Sequence, residues 1–233
     1  MNSPLPSVPE SHLATRVALL DAAERLFSQN GIEGTSIRDI VKEAGTNVGA
    51  INYHFGTKDR LALEVFARRL QPVNRERIAR LNALEASAKP GELTLEQILD
   101  ALIRPVLEFD EDGSKNCDDL MRLISRCFQE PNPEVKKFVE DQFAELVRRF
   151  DTAILRVTPG LPQGELFWRM CFLHGALHHG MQKWLLFDQM PNVVLNPAAT
   201  KPDREGLIRS FIAFMAAGIS APVPRPPKSN PAL

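Results

Sequence analysis

The sequence has few cysteines and no long apolar run. Three cysteines, Cys117, Cys127 and Cys171, cannot all pair and have no CxxC spacing, which argues against a disulfide framework and favours free thiols in a reducing compartment. No apolar stretch approaches the roughly 18 residues that a membrane span needs. The first residues, MNSPLPSVPESH, lack the basic and apolar segments of a secretory signal. These absences predict a cytoplasmic globular protein without a membrane partner.

Alternating strand patterns are also missing. Apolar residues recur at helical spacing nearly throughout, which predicts an all-α fold. Helices are predicted at about 12–30, 36–44, 47–54, 57–81, 94–109, 117–129, 133–157, 163–187 and 203–220. We expect a small domain at 12–57, whose last helix continues to about 81, and a larger one at 82–220. The proline-rich ends, 1–11 and 221–233, are predicted to be disordered tails.

Charge is distributed unevenly although the formal net charge is only -1. Residues 11–80 carry 11 basic side chains against 8 acidic ones, whereas residues 81–233 carry 17 against 20. A basic first segment on a slightly acidic body suits a protein whose small domain meets nucleic acid, although the bias is small.

Residues 36–54, SIRDIVKEAGTNVGAINYH, predict two short helices around a tight turn. Gly45 permits the chain to reverse without a Cβ clash, and Val48 with Ile51 would hold the second helix against the first. The outer face of that second helix then carries small and polar residues, which can approach base edges and phosphates closely. This pattern is typical of a DNA-binding helix-turn-helix.

The segment LDAAERLFSQNGIEGTSIRDIVKEAGTNVGAINYHFGTKDRL (20–61) resembles the DNA-binding domain of TetR-family repressors, most specifically through YHFGTKDRL. Thr46 departs from the pattern, because the family more often has valine there. The resemblance implies a helix-turn-helix head on a larger helical body, and a regulator that binds a palindromic operator in double-stranded DNA as a homodimer. A small effector bound in the body would move the helix at 57–81 and release the DNA.

Matched by position, the resemblance implies DNA contacts from both helices of the motif and from the start of the next helix. The implied residues are Ser36, Arg38, Asn47, Val48, Gly49, Ala50, Asn52, Tyr53, His54 and Lys58. Two of them have a second interpretation, since Ser36 can cap its helix and His54 can be a packing residue at the end of the recognition helix.

The last two helices are the predicted dimer surface. Their apolar and small residues are Leu173, Leu177, Gly180, Leu207, Phe211, Phe214 and Met215. An ordinary core within one chain explains the same pattern equally well without the resemblance.

An effector pocket is predicted in the body. Its candidate residues are Phe109, Met121, Arg122, Ile124, Arg126, Phe128, Phe143, Arg169 and Phe172. The apolar side chains would accept a largely apolar effector, and the arginines a carboxylate or phosphate. The segment ELFWRMCFLHGA is also similar to part of TetR-type regulators that respond to fatty acids or acyl-CoA. Alternatively, the aromatic residues form the core and Arg169 pairs with a structural acid.

Catalytic and cofactor motifs are absent from the sequence, which has no GxSxG, no phosphate-binding glycine loop and no HExxH. We therefore expect no enzyme and no cofactor. Cys171, His174 and His178 share one helical face and offer an alternative, a metal-responsive regulator. A second alternative is an adaptor whose helix-turn-helix binds protein instead of DNA.

Overall fold

The computed structural model describes residues 10–89, 91–108, 133–185, 187–190 and 200–223. All regular structure in these ranges is helical, which confirms the predicted fold class. The helices are α1 (Glu10–Asn30), α2 (Ile37–Glu43), α3 (Val48–His54), α4 (Lys58–Ser87), α5 (Leu95–Glu108), α6 (Pro133–Val157), α7 (Gln163–Leu185) and α8 (Arg204–Ser220), with a 3-10 turn at Phe187–Gln189. The helix predicted at 117–129 lies outside the described residues, as does most of each predicted tail.

The described helices form two compact units. The first contains the described residues up to Asn74 together with 133–144, and the second contains 75–108 and the described residues from Glu145 onward. The division therefore falls inside α4 and inside α6. The domain limits given above stay predictions.

An apolar core holds the first unit together. Leu19, Ala23 and Phe27 repeat at helical spacing on α1 and are buried against Ile40 of α2 and Ile51 of α3. Partly buried residues around this core are Leu26, Ile32, Ile37, Ala44, Ala50, Phe138 and Phe143. Burying these residues stabilises all three helices, above all α2 and α3, whose seven residues each would not stay helical alone in water.

Ion pairs join α1 to the start of α4. The Arg68 guanidinium donates to Asp21 at 2.7 Å and also contacts Glu24. Arg69 Nε donates to Glu24 at 3.0 Å. Burial raises the pKa of the Glu24 carboxyl, but the hydrogen bonds and charges of Arg68 and Arg69 outweigh this and hold the pKa below its ordinary value.

The core of the second unit includes the packing of α5 along α8. Ile98, Leu99 and Leu102 of α5 are buried, as are Ile212 and Ile219 of α8. Charged side chains fix this pair at the edge, since Arg104 of α5 donates to Glu205 of α8 at 2.6 Å. In the described part of the chain, no helix combines the length and apolar character needed to cross a bilayer.

Two of the predicted dimer residues are buried within this chain, while the dimer surface as a whole stays a prediction. Leu173 is 1% exposed and Met215 is 4% exposed, because both face the core of their own unit. Leu177, Gly180, Leu207 and Phe211 are partly buried. Phe214 is 68% exposed. The exposed aromatic residues of α7 are Phe167, Trp168 and Phe172.

Candidate nucleic-acid interface

The first helix of the motif begins with a capping box. The Asp39 amide donates to Ser36 Oγ at 3.2 Å, and the Ser36 amide donates back to the Asp39 carboxylate at 3.2 Å. The Ser36 hydroxyl also donates to that carboxylate, at 2.6 Å. These bonds satisfy backbone groups that the first turn leaves free. Because the hydroxyl proton is already used, Ser36 acts as a cap in this structure, while its contact with DNA stays a prediction.

A tight turn joins α2 to α3. Gly45 has a φ of 64°, a left-handed conformation that favours glycine. The Thr46 amide then donates to the Val41 carbonyl at 2.9 Å, which closes the turn. Asn47 caps α3 by accepting a hydrogen bond from the Ala50 amide at 3.2 Å. The side-chain oxygen of Asn47 is thus occupied by the cap, while its amide nitrogen faces solvent.

The two sides of α3 differ sharply in exposure. Ile51 is fully buried in the core of the first unit. Val48, which was also predicted to hold the helix in place, is 43% exposed, so Ile51 is the buried anchor of α3, with the partly buried Ala50 packed beside it. Gly49 and Asn52 are exposed, and Ala50 is partly buried. The exposed side is therefore small and polar.

Gly49 shows how bare this side is. A Cβ built at Gly49 would meet only the Asn47 side-chain oxygen, at 3.0 Å. Nothing else among the described residues stands over the helix there. A surface without projecting side chains can bring the α3 backbone close to a base edge.

The remaining predicted contacts lie around the end of α3. Tyr53 is 72% exposed, and its ring lies 5.0 Å from the His54 ring, centroid to centroid. The half-buried His54 ring also lies 6.1 Å from Phe55, so its packing interpretation has a contact to support it. Lys58, partly buried, opens α4, where Thr57 Oγ1 accepts from the Arg60 amide at 3.1 Å. Arg38 is exposed on α2.

Three of the nine predicted effector residues lie in the ranges that the structure describes. Phe109, Met121, Arg122, Ile124, Arg126 and Phe128 lie outside the described residues. Phe143 packs against the core of the first unit. Arg169 and Phe172 belong to the second unit, where Phe172 is exposed.

Arg169 has the structural role that was its alternative interpretation. Its Nε donates to Glu165 at 3.0 Å, and one terminal nitrogen donates to the carbonyls of Ile219 at 2.5 Å and Ala221 at 2.7 Å. The side chain thereby ties α7 to the end of α8. Arg169 also lines a cleft of about 360 Å³ with Val157–Leu161 and Ile219–Val223.

The metal alternative finds no support in the described residues. No group of three or more His, Cys, Asp or Glu side chains there is close enough to hold a metal ion. His174 Nδ1 instead donates to the Met170 carbonyl at 2.8 Å. The pKa of His174 lies below its ordinary value, because desolvation by the surrounding protein, together with the Arg77 charge, outweighs the hydrogen bond to the Met170 carbonyl. Cys171 is exposed and has no disulfide partner.

One residue near the site was missed by the sequence reasoning. The His12 ring of α1 lies 5.7 Å from the Tyr53 ring, centroid to centroid. The contact depends on how α1 packs on α3, and no local pattern around His12 signals it.

These features define a helix-turn-helix protein. Two family models match the chain, "Bacterial regulatory proteins, tetR family" over residues 19–65 and "Tetracyclin repressor-like, C-terminal domain" over residues 100–218. The chain belongs to the TetR family. The resemblance noted in the sequence is therefore confirmed.

The curated relatives match about a third of the chain or less. The chain is 38% identical over 79 residues to the HTH-type transcriptional regulator LmrA of Bacillus subtilis, covering 34% of this chain and 40% of LmrA. It is 48% identical over 52 residues to the HTH-type transcriptional regulator AcrR of Shigella flexneri, covering 22% of this chain and 24% of AcrR. The matched segments thus span less than half of either relative.

Solved structures share the fold over most of the chain. The transcriptional regulator FadR from Bacillus subtilis, solved in complex with stearoyl-CoA, has a TM-score of 0.60 at 19% identity and covers 87% of this chain and 98% of its own. A TetR family transcription regulator from Marinobacter aquaeolei has a TM-score of 0.58 at 16% identity, with 91% and 98% covered. At these identities the likeness shows the fold alone.

Proposed function

We propose that this protein is a transcriptional repressor that inserts α3 into the major groove of a palindromic operator. The observation that carries the proposal is the asymmetry of α3. Ile51 buries one side in the core, and the opposite side presents Gly49, Asn52 and the exposed Tyr53. A helix with a bare polar outer face fits a groove lined with donors and acceptors. Such a regulator acts in the cytoplasm.

Phosphate contacts would come from residues beside that face. Arg38 on α2 is exposed, and Lys58 opens α4 just beyond α3. Tyr53, His54 and Ser36 complete the proposed backbone contacts, and the proposed base contacts come from Asn47, Val48, Gly49, Ala50 and Asn52. All of these except the partly buried Ala50 and His54 are exposed. Phosphate contacts fix the register of a protein on DNA, and base contacts select the sequence.

A homodimer is part of the proposal because one small head buries too little DNA for specific binding. The exposed aromatic residues of the last two helices offer the second interface. Phe167, Trp168 and Phe172 of α7 and Phe214 of α8 are all more than half exposed. Apolar residues in such numbers on one pair of helices are typical of a surface that another protein copy covers. These side chains replace Leu173 and Met215 in the proposed interface.

The effector is proposed to be a small, largely apolar molecule that lowers operator affinity when bound. Fatty acids and acyl-CoA thioesters are the favoured class. The similar FadR fold, solved with stearoyl-CoA, supports this choice, as does the resemblance of ELFWRMCFLHGA. Such a ligand can shift the equilibrium only if it binds the two forms of the dimer with different affinity.

The proposal can be tested by selecting the duplexes that the protein binds from a random pool. The affinity for a selected duplex is then measured by titration at several salt concentrations. Lys58→Ala and Tyr53→Ala should weaken binding to every duplex, because both remove backbone contacts. Each lost Lys58 contact should reduce the salt slope of the affinity by about 1. Lys89→Ala is the matched control, since Lys89 is an exposed lysine of the second unit.

The base contacts need a separate variant. Asn47→Ser keeps a side-chain oxygen to cap α3 but removes the amide donor, so it should change the preferred sequence without unfolding the helix. Added oleoyl-CoA should reduce operator binding by the wild type. If the affinity for duplex DNA changed neither with salt concentration nor with these substitutions, the proposal would be contradicted and the protein-binding adaptor favoured.

A further inference from the structure

Three aromatic rings meet where α1 passes the end of α3. His12, in the first turn of α1, lies 5.7 Å from Tyr53 and 6.3 Å from His54, measured between ring centroids. Tyr53 and His54 are 5.0 Å apart, and every pair is close to perpendicular, at 82° to 89°. Edge-to-face contacts of this kind stabilise each ring against its neighbours.

The cluster opens to solvent. Tyr53 and His12 are both exposed, and His54 is half-buried beneath them. One turn further along α1, Arg16 stacks 5.4 Å from the Phe55 ring centroid and pairs with Glu64 of α4. Arg16 is therefore already matched by an acid. Within the described residues, His12 makes no hydrogen bond, so its ring nitrogens are free to bind a ligand.

We propose that His12 extends the DNA-binding surface from α3 onto α1, where its ring N–H donates a hydrogen bond to a backbone phosphate. This inference depends on the proposed function. A phosphate fits better than a base, because the cluster lies at the end of α3 while the bare Gly49 lies nearer its start. The phosphate that His12 contacts is distinct from the one that Tyr53 contacts.

The packing of the rings gives His12 its orientation. The Tyr53 ring holds the imidazole beside the phenol, so little side-chain freedom is lost when DNA binds. The same contact means that removing His12 could act only through Tyr53. The test must therefore separate a direct phosphate contact from a positioning effect.

Substitutions at His12 make the first part of the test. His12→Ala should weaken binding roughly tenfold for a dimer that loses one hydrogen bond in each half. The loss should be equal for the selected operator and for a random duplex, because a phosphate carries no sequence. His12→Phe keeps the aromatic edge but has no N–H, so it should bind as weakly as His12→Ala. Gln29→Ala, at the exposed far end of α1, is the matched control and should bind as the wild type does.

Duplexes with a single neutral methylphosphonate make the second part. The methylphosphonate is placed at each position of the operator in turn. It should lower the affinity of the wild-type protein wherever it replaces a contacted phosphate. At one of these positions the methylphosphonate should cause no further loss of affinity in His12→Ala, because that variant no longer contacts the phosphate. In Tyr53→Phe the same absence of a further loss should occur at a neighbouring phosphate. Circular dichroism of each variant should match the wild type.

Failure of the His12 contact and failure of the proposed function give different results. Full recovery of affinity by His12→Phe, or coupling of His12 only to the Tyr53 phosphate, would overturn the direct contact while leaving the proposed function intact. Salt-independent binding by the wild type would overturn the proposed function, and this inference with it.

Discussion

The solvent-exposed surfaces of the two units differ in chemical character. In the first unit α3 buries Ile51 and exposes Gly49, Asn52 and Tyr53 together with part of Val48. In the second unit α7 exposes Phe167, Trp168 and Phe172 and buries the charged Arg169. Protein–DNA interfaces are polar and wet, whereas lasting interfaces between protein copies are more apolar. The contrast agrees with the proposal that the first surface binds DNA and the second a copy of the same protein.

The units also satisfy their charges differently. On the first unit, Arg68 and Arg69 pair with Asp21 and Glu24 in a network that solvent still reaches. In the second unit Arg169 is removed from solvent and donates to two backbone carbonyls as well as to Glu165. A buried cation depends on every one of its partners, because none can be replaced by water. We therefore expect unequal effects from similar substitutions in the two units.

The largest effect is expected from the buried side of α3. Ile51→Ala should lower the free energy of unfolding by about 3 kcal/mol, because it leaves a cavity in the core of the first unit. Val48→Ala, on the same helix but 43% exposed, should cost less than about 1 kcal/mol. Urea denaturation followed by circular dichroism measures both. Equal costs would mean that α3 does not have the two sides described.

Arg169→Met should have the next largest effect. It removes the donors to Ile219 and Ala221 and leaves Glu165 without its partner, at a cost of about 2 kcal/mol. The control is Arg209→Met, because Arg209 is largely exposed and pairs with Glu205 at 3.6 Å. A surface pair of that kind contributes less than about 1 kcal/mol. If the two variants unfolded at the same urea concentration, Arg169 would not be the tie between α7 and α8.

A smaller, pH-dependent effect is expected at Glu24. The pKa of Glu24 is lowered on folding, so the ionised carboxylate stabilises the native state fully at pH values above its ordinary pKa of 4.5. This contribution is lost as the pH falls through the lower pKa of the folded state. Glu24→Gln should therefore cost about 1 kcal/mol at pH 7 and less at acid pH. Glu43→Gln, in the more exposed pair with Arg25, is the control. A cost that stayed constant down to pH 3 would contradict this explanation.

Local signals allowed much of the first unit to be predicted. Gly45 and the Ser36 cap each act within a few residues, so the helix-turn-helix could be read directly. Val48 was less predictable, because it lies three residues before Ile51 on the same helix and only tertiary packing decides how deeply each is buried.

The second unit was harder to predict because α7 is apolar on nearly all sides. Leu173 and Phe172 are adjacent, and composition does not say which one faces the core. Arg169 is buried because the carbonyls of Ile219 and Ala221 lie beside it, and these belong to a helix far along the chain. Facts of this kind depend on tertiary packing, which a single sequence does not encode locally.

The smallest change in stability is expected from Gly49→Ala, which nonetheless tests the first surface most directly. Alanine gains up to about 1 kcal/mol of helix propensity over glycine. The new Cβ would meet the Asn47 side-chain oxygen at 3.0 Å, and moving that oxygen weakens the cap of α3. The two effects oppose each other, so the free energy of unfolding should change by less than about 0.5 kcal/mol. Operator affinity should fall all the same, because a methyl group now stands between the α3 backbone and the groove. If both stability and operator affinity were unchanged, this side of α3 would not approach DNA closely. The proposal that the two surfaces bind different partners would then be contradicted.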